Sequence, residues 1–307
     1  MSTAAFARLR DLGKLSDYDV GRVFRLCVIE EMRTGKLNHL SQKALDYCLP
    51  YTKRIARRAE YSSHNYGRRM EPVVHILRQI QLVERNPFVL DCGCGLGSES
   101  ILFGLMGARV FGADILAEKI ECAQERLKLC QPELPENVSI RFESRNVLNI
   151  PEIADGTVDM IFVTEAISHI YPPENLLQRA RAWLKPHGFL CIADTNGSNP
   201  YIKVINMRHF WRERRTLRFY VEQKVDPSTG ESVPVAMENV FSPGTMKRLV
   251  EKEGFHVRIL RGAGYLPPFL GRHPAILRAW KKVESAADRL PIFPHLGTIY
   301  TVVAEKS

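Results

Sequence analysis

The first 80 residues carry the hydrophobic spacing of helices. Apolar side chains recur every three or four positions between residues 20 and 32, which is the stripe of an amphipathic helix. A second helix is predicted from about residue 41 to residue 48, ended by Pro50, and a third over about residues 72–82. Residues 60–69 are polar and aromatic and indicate a loop. The pattern predicts a helical N-terminal cap over residues 1–80.

From residue 81 onward, short apolar runs alternate with helical spacing. Strands are predicted at residues 88–90, 109–113, 138–143, 158–163, 189–193, 255–260 and 298–304, with helices at about 117–129, 173–184 and 243–253. Such alternation predicts an α/β fold over residues 81–307, whose mostly parallel, seven-stranded sheet has helices on both faces. Residues 197–241 break the alternation, and we interpret them as an insertion that forms a lid.

A glycine-rich turn follows the first predicted strand. Gly93, Gly95 and Gly97 alternate with other residues, and Asp91 stands just before them. This spacing is not the G-x-G-x-x-G of dinucleotide sites, and an acid there would repel a pyrophosphate but suit a cationic ammonium or sulfonium group. The second strand ends in Asp114, whose carboxylate can accept hydrogen bonds from both hydroxyls of a ribose. Together these features predict a pocket for S-adenosylmethionine.

The stretch "VLDCGCGLG" resembles the first motif of class I S-adenosylmethionine-dependent methyltransferases, and the similarity extends over residues 88–193. The resemblance implies a Rossmann-like fold in which the three glycines surround the methionine part of the cofactor and Asp114 holds the ribose. We also expect Asp91, Ile115 and Glu165 among the residues that bind the cofactor. Asn146 falls where the family usually has an aspartate that accepts from the adenine amino group, and an asparagine carbonyl can also accept this bond. Val147 would offer its backbone amide to the adenine ring.

The segment after the fourth predicted strand carries the candidate base. His169 is the best-placed titratable group, because an imidazole titrates near neutral pH, and Glu165 is a second base or an orienting partner. The alternative is that His169 simply caps backbone groups at the start of a helix. Two residues before the first strand, Tyr66 and Arg69, are expected near the cofactor, with the ring beside the sulfonium and the guanidinium on the carboxylate.

The same segment and "LKPHGFLCIADTN" resemble the ubiquinone-biosynthesis O-methyltransferase branch of small-molecule enzymes. Members of that branch have two glutamates and a histidine that can hold magnesium. Glu165 and His169 match two of these positions, whereas Ser168 replaces the second glutamate, so we expect no tightly bound metal. Cys92 and Cys94 lack a second pair at zinc spacing, and we interpret them as small residues packed in the sheet.

Composition narrows the class of protein. The 307 residues are 45% hydrophobic and 25% charged, as in an ordinary globular protein, and no apolar run approaches the roughly 18 residues that span a bilayer. Seven scattered cysteines favour a reducing compartment, and we expect a cytoplasmic protein. The net charge of +9 would attract phosphates, but the basic residues are spread along the chain. We therefore expect no dedicated nucleic-acid surface, although arginines cluster between residues 208 and 218.

These observations predict methyl transfer from S-adenosylmethionine to an oxygen or nitrogen atom of a small metabolite or lipid-like acceptor. Aromatic residues of the insertion and the apolar residues 264–270 favour a hydrophobic acceptor, with at most peripheral membrane contact. The alternatives are methylation of RNA, which the net charge alone supports, and a protein that binds the cofactor without catalysis. The acceptor and the oligomeric state stay open.

Overall fold

The computed structural model describes residues 12–33, 40–204, 207, 220–237, 239–288 and 290–307. Its centre is a seven-stranded sheet in the order β3-β2-β1-β4-β5-β9-β8. The strands are β1 (Phe88–Cys92), β2 (Arg109–Asp114), β3 (Ile140–Ser144), β4 (Val158–Thr164), β5 (Leu184–Thr195), β8 (Phe255–Ala263) and β9 (Ile299–Lys306). Neighbours from β3 to β5 are parallel, and β9 runs antiparallel to both β5 and β8. This confirms the predicted mostly parallel, Rossmann-like sheet.

Helices cover both faces of the sheet. They are α1 (Asp17–Arg33), α2 (Gln42–Ala56), α3 (Ala59–Gln81), α4 (Ser98–Leu105), α5 (Ala117–Cys130), α6 (Pro173–Trp183), α7 (Pro243–Lys252), α8 (Pro268–Gly271) and α9 (Pro274–Ala287). One hydrophobic cluster joins α1, α3, α4 and α5 to the sheet, and a second joins α6 and α7 to its other face. The N-terminal cap therefore shares a core with the sheet. Among the described residues, no helix has the length and apolar character needed to cross a bilayer.

The prediction of a loop at residues 60–69 is wrong, because they lie inside α3. Gly67 lets α3 approach α1 closely, since a Cβ at this position would stand 2.8 Å from the carbonyl oxygen of Tyr18. His64, Arg68 and Arg69 are buried and paired with distant acidic residues, so the polar composition reflects a buried network.

The prediction that Pro50 ends the second helix is also wrong. Helix α2 continues through Pro50 to Ala56. Proline removes one intrahelical hydrogen bond. Cys48 and Ile55, on either side of Pro50, are both buried in hydrophobic clusters, and such packing contributes most of the stability of helices in proteins.

Within the insertion, the described residues include a two-stranded hairpin. Strand β6 (Tyr220–Val225) pairs antiparallel with β7 (Ser232–Met237). The connecting turn is closed by Asp226, whose carboxylate accepts hydrogen bonds from the backbone and hydroxyl of Ser228. Residues 205–206 and 208–219, which include the predicted arginine cluster, lie outside the described residues.

Candidate active site

The glycine turn connects β1 to α4 in left-handed backbone conformations. Gly93, Gly95 and Gly97 have φ angles of 79°, 54° and 71°, which favour glycine. A Cβ at Gly93 would lie 2.4 Å from the Cβ of Ala166, so the turn and the segment after β4 touch at this point. A Cβ at Gly95 would meet nothing within 4 Å, so the space above this residue is open to a ligand.

Asp114 ends β2 beside this turn, with only 5% of the residue exposed. Its Oδ2 accepts from the Gly95 amide at 3.1 Å and from Lys119 Nζ at 3.3 Å, while its Oδ1 accepts from the Leu116 amide at 3.0 Å. Asn146 follows β3, and its Oδ1 accepts from the Leu148 amide at 3.0 Å. The sheet order therefore places these two side chains next to each other at the carboxyl edge, as the sequence predicts.

Two cavities meet along this edge. The larger, of about 340 Å³, is lined by the predicted residues Gly93, Asp114, Ile115, Asn146, Val147, Glu165 and His169 together with residues of the hairpin. The smaller, of about 210 Å³, is lined by Arg69, Gly93, Gly95, Glu99 and Glu165 among others. Gly93, Lys119 and Glu165 border both cavities. The structure thus brings most of the predicted site together in one connected space.

Arg69 and two glutamates give the smaller cavity both positively and negatively charged groups. Arg69 Nη2 donates to Glu99 Oε1 at 2.6 Å, and its Nη1 lies 3.7 Å from Glu165 Oε1. Tyr66 does not reach either cavity wall: it is 4% exposed, packs beside Phe24, and has the Arg69 guanidinium 4.9 Å from its ring centroid. The ring therefore packs against Arg69 and does not line a cavity, whereas the sequence predicted it beside a sulfonium.

Asp91 and Gly97 also lie behind the cavity walls. Asp91 is fully buried, and its Oδ2 accepts from Ser100 Oγ at 2.6 Å. Burial raises the pKa of Asp91 to about 8, so the group carries little negative charge at neutral pH. Gly97 precedes the first turn of α4. Both residues shape the turn from beneath, whereas the sequence placed them in contact with the ligand.

His169 lies in the 3-10 turn Ile167–His169 after β4, with its ring held by the hairpin. The ring Nδ1 lies 3.0 Å from the carbonyl oxygen of Ala236, which can only accept a hydrogen bond. Nδ1 therefore carries the proton, and Nε2 of the neutral ring keeps its lone pair, as a general base requires. Glu165 is nearby on the same cavity wall, with a φ of 48° that turns the chain sharply out of β4.

Ser168, the residue that replaces a glutamate of the similar enzymes, makes a different set of contacts. Its backbone amide and hydroxyl lie 3.2 and 3.3 Å from the carboxylate oxygens of Asp194, at the end of β5. Burial raises the pKa of Asp194 to about 6, partly offset by hydrogen bonds from Thr195 and Ser168. Within the described ranges, no group of three or more histidine, cysteine or acidic side chains could hold a metal ion.

Several residues that line the two cavities were not predicted from the sequence. Lys119 and Glu99 lie in the first turns of helices beside the glycine turn. They could have been predicted, because they follow the predicted site residues Asp114 and Gly97 closely in the sequence. Lys224, Val233 and Val235 come from the hairpin, which the turn-forming residues 226–230 between two short alternating runs could have indicated. Residues 264–270, expected near the acceptor, line neither of these cavities.

The residues present fit the cofactor that the sequence predicts. The carboxylate of Asp114 and the amide of Asn146 suit a nucleoside, and the open space above Gly95 leads to the smaller cavity. There, carboxylates can bind an ammonium group and Arg69 can bind a carboxylate, as the zwitterionic end of an amino acid requires.

Comparison with known proteins agrees with this geometry. Residues 90–192 match the family described as "Methyltransferase domain". The human mitochondrial ubiquinone biosynthesis O-methyltransferase is 27% identical over 185 residues, which cover 58% of this chain and 44% of that protein. The ubiquinone biosynthesis O-methyltransferase of Cupriavidus pinatubonensis is 24% identical over 179 residues, covering 58% of this chain and 64% of the relative. The matched part thus spans less than two thirds of either relative.

A solved structure shares the fold at low sequence identity. A geranyl diphosphate methyltransferase in complex with GPP and sinefungin aligns with a TM-score of 0.50 at 15% identity, over 81% of this chain and 82% of that one. The family match, the relatives and the cavity at the carboxyl edge of the sheet lead to one conclusion: residues 90–192 form a class I S-adenosylmethionine-dependent methyltransferase domain, which is similar in sequence to ubiquinone biosynthesis O-methyltransferases.

Proposed function

We propose that this protein transfers a methyl group from S-adenosylmethionine to an oxygen or nitrogen atom of a small or lipid-like molecule, with His169 as the general base. The observation that carries the proposal is the single cavity that Asp114, Asn146, Glu165 and His169 all line. The relatives are named as O-methyltransferases of ubiquinone biosynthesis, which favours a hydroxyl group as acceptor.

Each residue contributes a separate task. Asp114 and Asn146 bind the nucleoside end of the cofactor, while Arg69, Glu99 and Glu165 bind its amino-acid end. When bound, S-adenosylmethionine supplies a methyl group already activated by its sulfonium, so positioning provides much of the rate enhancement. The Ala236 carbonyl holds Nδ1–H of His169, and Nε2 removes the proton of the acceptor as the new bond forms.

The test uses a cofactor labelled in its methyl group. The full chain is incubated with the labelled cofactor and a cell extract, and the products are separated into small-molecule, lipid, RNA and protein fractions for mass spectrometry. A labelled small molecule or lipid that is missing with Asp114→Ala supports the proposal. Label in RNA would favour the alternative acceptor, and cofactor binding in calorimetry without any labelled product would contradict methyl transfer.

A further inference from the structure

The β6–β7 hairpin reaches a part of the site that is far from its own place in the sheet. The insertion leaves the sheet after β5, whereas Asp114 and Asn146 follow β2 and β3. Strands β1 and β4 lie between these two positions in the sheet order. Because residues of the hairpin nevertheless border the same cavity as Asp114 and Asn146, the hairpin crosses the carboxyl edge above β4 and β1.

The side of the hairpin nearest β4 is fixed to the turn that carries the candidate base. Val235 forms an isolated antiparallel bridge with Ile170, and the Ala236 carbonyl accepts from His169 Nδ1 at 3.0 Å. Ala236 itself is fully buried. The crossing is therefore a packed arrangement with its own hydrogen bonds.

Lys224 of β6 places the opposite side of the hairpin close to the start of α5. Lys224 borders the larger cavity together with Asp114 and Lys119. The ion pair with Lys43 holds the pKa of Glu118 below its usual range, and the positive charge of Lys224 adds a weaker contribution of the same sign. Since Glu118 lies in the first turn of α5, directly after β2, the hairpin extends over the expected ribose position.

The surface that β7 turns toward the cavity is apolar. Val233, Val235 and Met237 are alternate residues of one strand and share one face, and they border the larger cavity together with Pro234. The carboxylate of Asp114 and the amide of Asn146 line the same cavity. A cavity that combines an apolar face with these polar groups suits a purine nucleoside, whose ring faces are apolar while its sugar hydroxyls and amino edge form hydrogen bonds.

We propose that the β6–β7 hairpin is a clamp that closes over the adenosine end of the cofactor through Val233, Val235 and Met237. The clamp makes this part of the insertion a determinant of cofactor affinity, whereas the sequence predicted only a lid over the acceptor. It rests on the proposed function in one respect, namely that the Asp114 and Asn146 wall holds the nucleoside. Through Ala236, the same hairpin that contacts adenosine also orients His169.

The experiment compares two variants of the hairpin, a double variant and a single control variant, with the wild type. Calorimetry measures the affinity of the full chain for S-adenosylhomocysteine and for 5′-methylthioadenosine, which keeps the nucleoside but lacks the amino-acid end. The double variant Val233→Ala/Val235→Ala removes apolar contacts from the cavity, and we expect roughly tenfold weaker binding of both ligands. Val225→Ala is the control, because Val225 is 63% exposed and borders neither cavity, and its affinities should match the wild type.

A second measurement covers the case in which the double variant does not fold. Hydrogen exchange of the wild-type amides at residues 220–237 should slow when 5′-methylthioadenosine is added. Wild-type affinity in the double variant, or unchanged exchange of these amides where that variant is unfolded, would overturn the clamp. Failure of the wild type to bind either ligand would instead contradict the proposed function, so the two failures are distinguishable.

Discussion

At the scale of single residues, the site holds its acidic groups in very different surroundings. Asp114 accepts hydrogen bonds from two backbone amides and from Lys119. Asp91, only one strand away, has a hydroxyl on one oxygen, and its Oδ1 finds no hydrogen-bond partner among the described residues. The first carboxylate is thus suited to bind hydroxyl groups of a ligand, whereas the second supports the turn from within the core.

Replacing Asp114 tests the nucleoside wall. Asp114→Ala should weaken S-adenosylmethionine binding by about 1.5–3 kcal/mol, because hydrogen bonds to a charged acceptor contribute about that much. Isothermal titration calorimetry measures the change, with the exposed Asp155→Ala as a control of equal charge change. An unchanged affinity in Asp114→Ala would remove this residue from the binding site.

Replacing His169 tests the base. His169→Ala should lower kcat/KM by about 10²–10⁴-fold, the usual contribution of a general base, and should flatten the acidic limb of the pH profile. Cofactor affinity should change much less than kcat/KM, since Asp114, Asn146 and Arg69 are unaltered and the hairpin keeps its bridge between Val235 and Ile170. The exposed His256→Ala should behave as wild type, and Glu165→Gln measured alongside shows whether this carboxylate orients the ring. Full activity of His169→Ala with an unchanged profile would favour the capping interpretation.

Burial of Asp91 predicts a particular dependence of stability on pH. Its pKa is about 8 in the folded protein and about 4 in an unfolded chain, so folding favours the protonated form. Its contribution to stability is complete below about pH 4 and is lost as the pH rises through 8.

In urea unfolding, the free energy of unfolding of the wild type relative to Asp91→Asn should therefore fall by roughly 2–5 kcal/mol between pH 5 and 8. Asp155→Asn should show no such difference. Parallel curves for wild type and Asp91→Asn would mean that Asp91 is ionised in the folded protein.

At the scale of elements, one buried ion pair connects the N-terminal cap to the glycine turn. Arg126 of α5 is fully buried and donates through Nε and Nη2 to the two carboxylate oxygens of Glu31 of α1, both at 3.0 Å. Its Nη1 donates to the Leu96 carbonyl at 2.5 Å and to Ser98 Oγ at 2.8 Å. The cap helix thus helps to hold the turn that forms the smaller cavity.

Removing Glu31, the acidic partner of Arg126, should lower the stability of the fold. Glu31→Ala leaves the buried guanidinium uncompensated, and we expect a loss of about 3–5 kcal/mol in the free energy of unfolding. The neighbouring Glu30 is exposed, and Glu30→Ala should change stability by less than about 1 kcal/mol. Chemical denaturation followed by circular dichroism separates these outcomes, and equal losses in both variants would mean that the pair does not stabilise the fold.

The sequence predicted those elements whose structure depends on local spacing. Strand β1, the glycine turn and β2 follow from an apolar run, alternating glycines and the next apolar run, and each lies where it was expected. Residues 60–69 were misjudged because their partners are far away in the chain: His64, for example, meets Glu284, 220 positions later. Hydrophobic periodicity cannot show that a polar residue is buried against a distant opposite charge.

The candidate site likewise contains some residues that the local sequence predicts and others that depend on contacts between distant parts of the chain. Asp114, Asn146 and His169 could be placed because each follows a predicted strand, and parallel strands bring their carboxyl ends together. The reach of the hairpin across the sheet, and its hydrogen bond to His169, depend on tertiary packing of an insertion that the strand and helix alternation does not define.

At the scale of the whole molecule, a buried polar network joins the helices of the N-terminal cap to α9. His64 of α3 lies between Tyr18 of α1 and Glu284 of α9, at 2.8 and 2.7 Å, and is 3% exposed. The other oxygen of Glu284 accepts from Trp280 Nε1 at 2.6 Å, and Arg68 binds Asp288 just beyond α9. The C-terminal helix is thereby attached to the N-terminal cap.

This attachment predicts that the cap and the C-terminal helix unfold together. Glu284→Ala should lower the free energy of unfolding by about 3–5 kcal/mol, since it leaves several buried donors unpaired, and the transition should remain single. Glu251→Ala, which breaks an exposed pair with Lys247, should change stability by less than about 1 kcal/mol. Tryptophan fluorescence and circular dichroism should report the same midpoint. Two separate transitions in Glu284→Ala would show that the N-terminal cap and the C-terminal helix unfold independently.

The burial of the cysteines has a practical consequence for labelling. All seven are buried and none forms a disulfide in the described structure, and burial raises the pKa of Cys130 to about 12 and those of Cys92 and Cys191 still further. Buried thiols react slowly with maleimides because the reagent cannot reach them, and protonation slows the reaction of Cys92, Cys130 and Cys191 further. A Val225→Cys substitution would place one exposed thiol on the hairpin, so a fluorophore could be attached there without first removing the native cysteines.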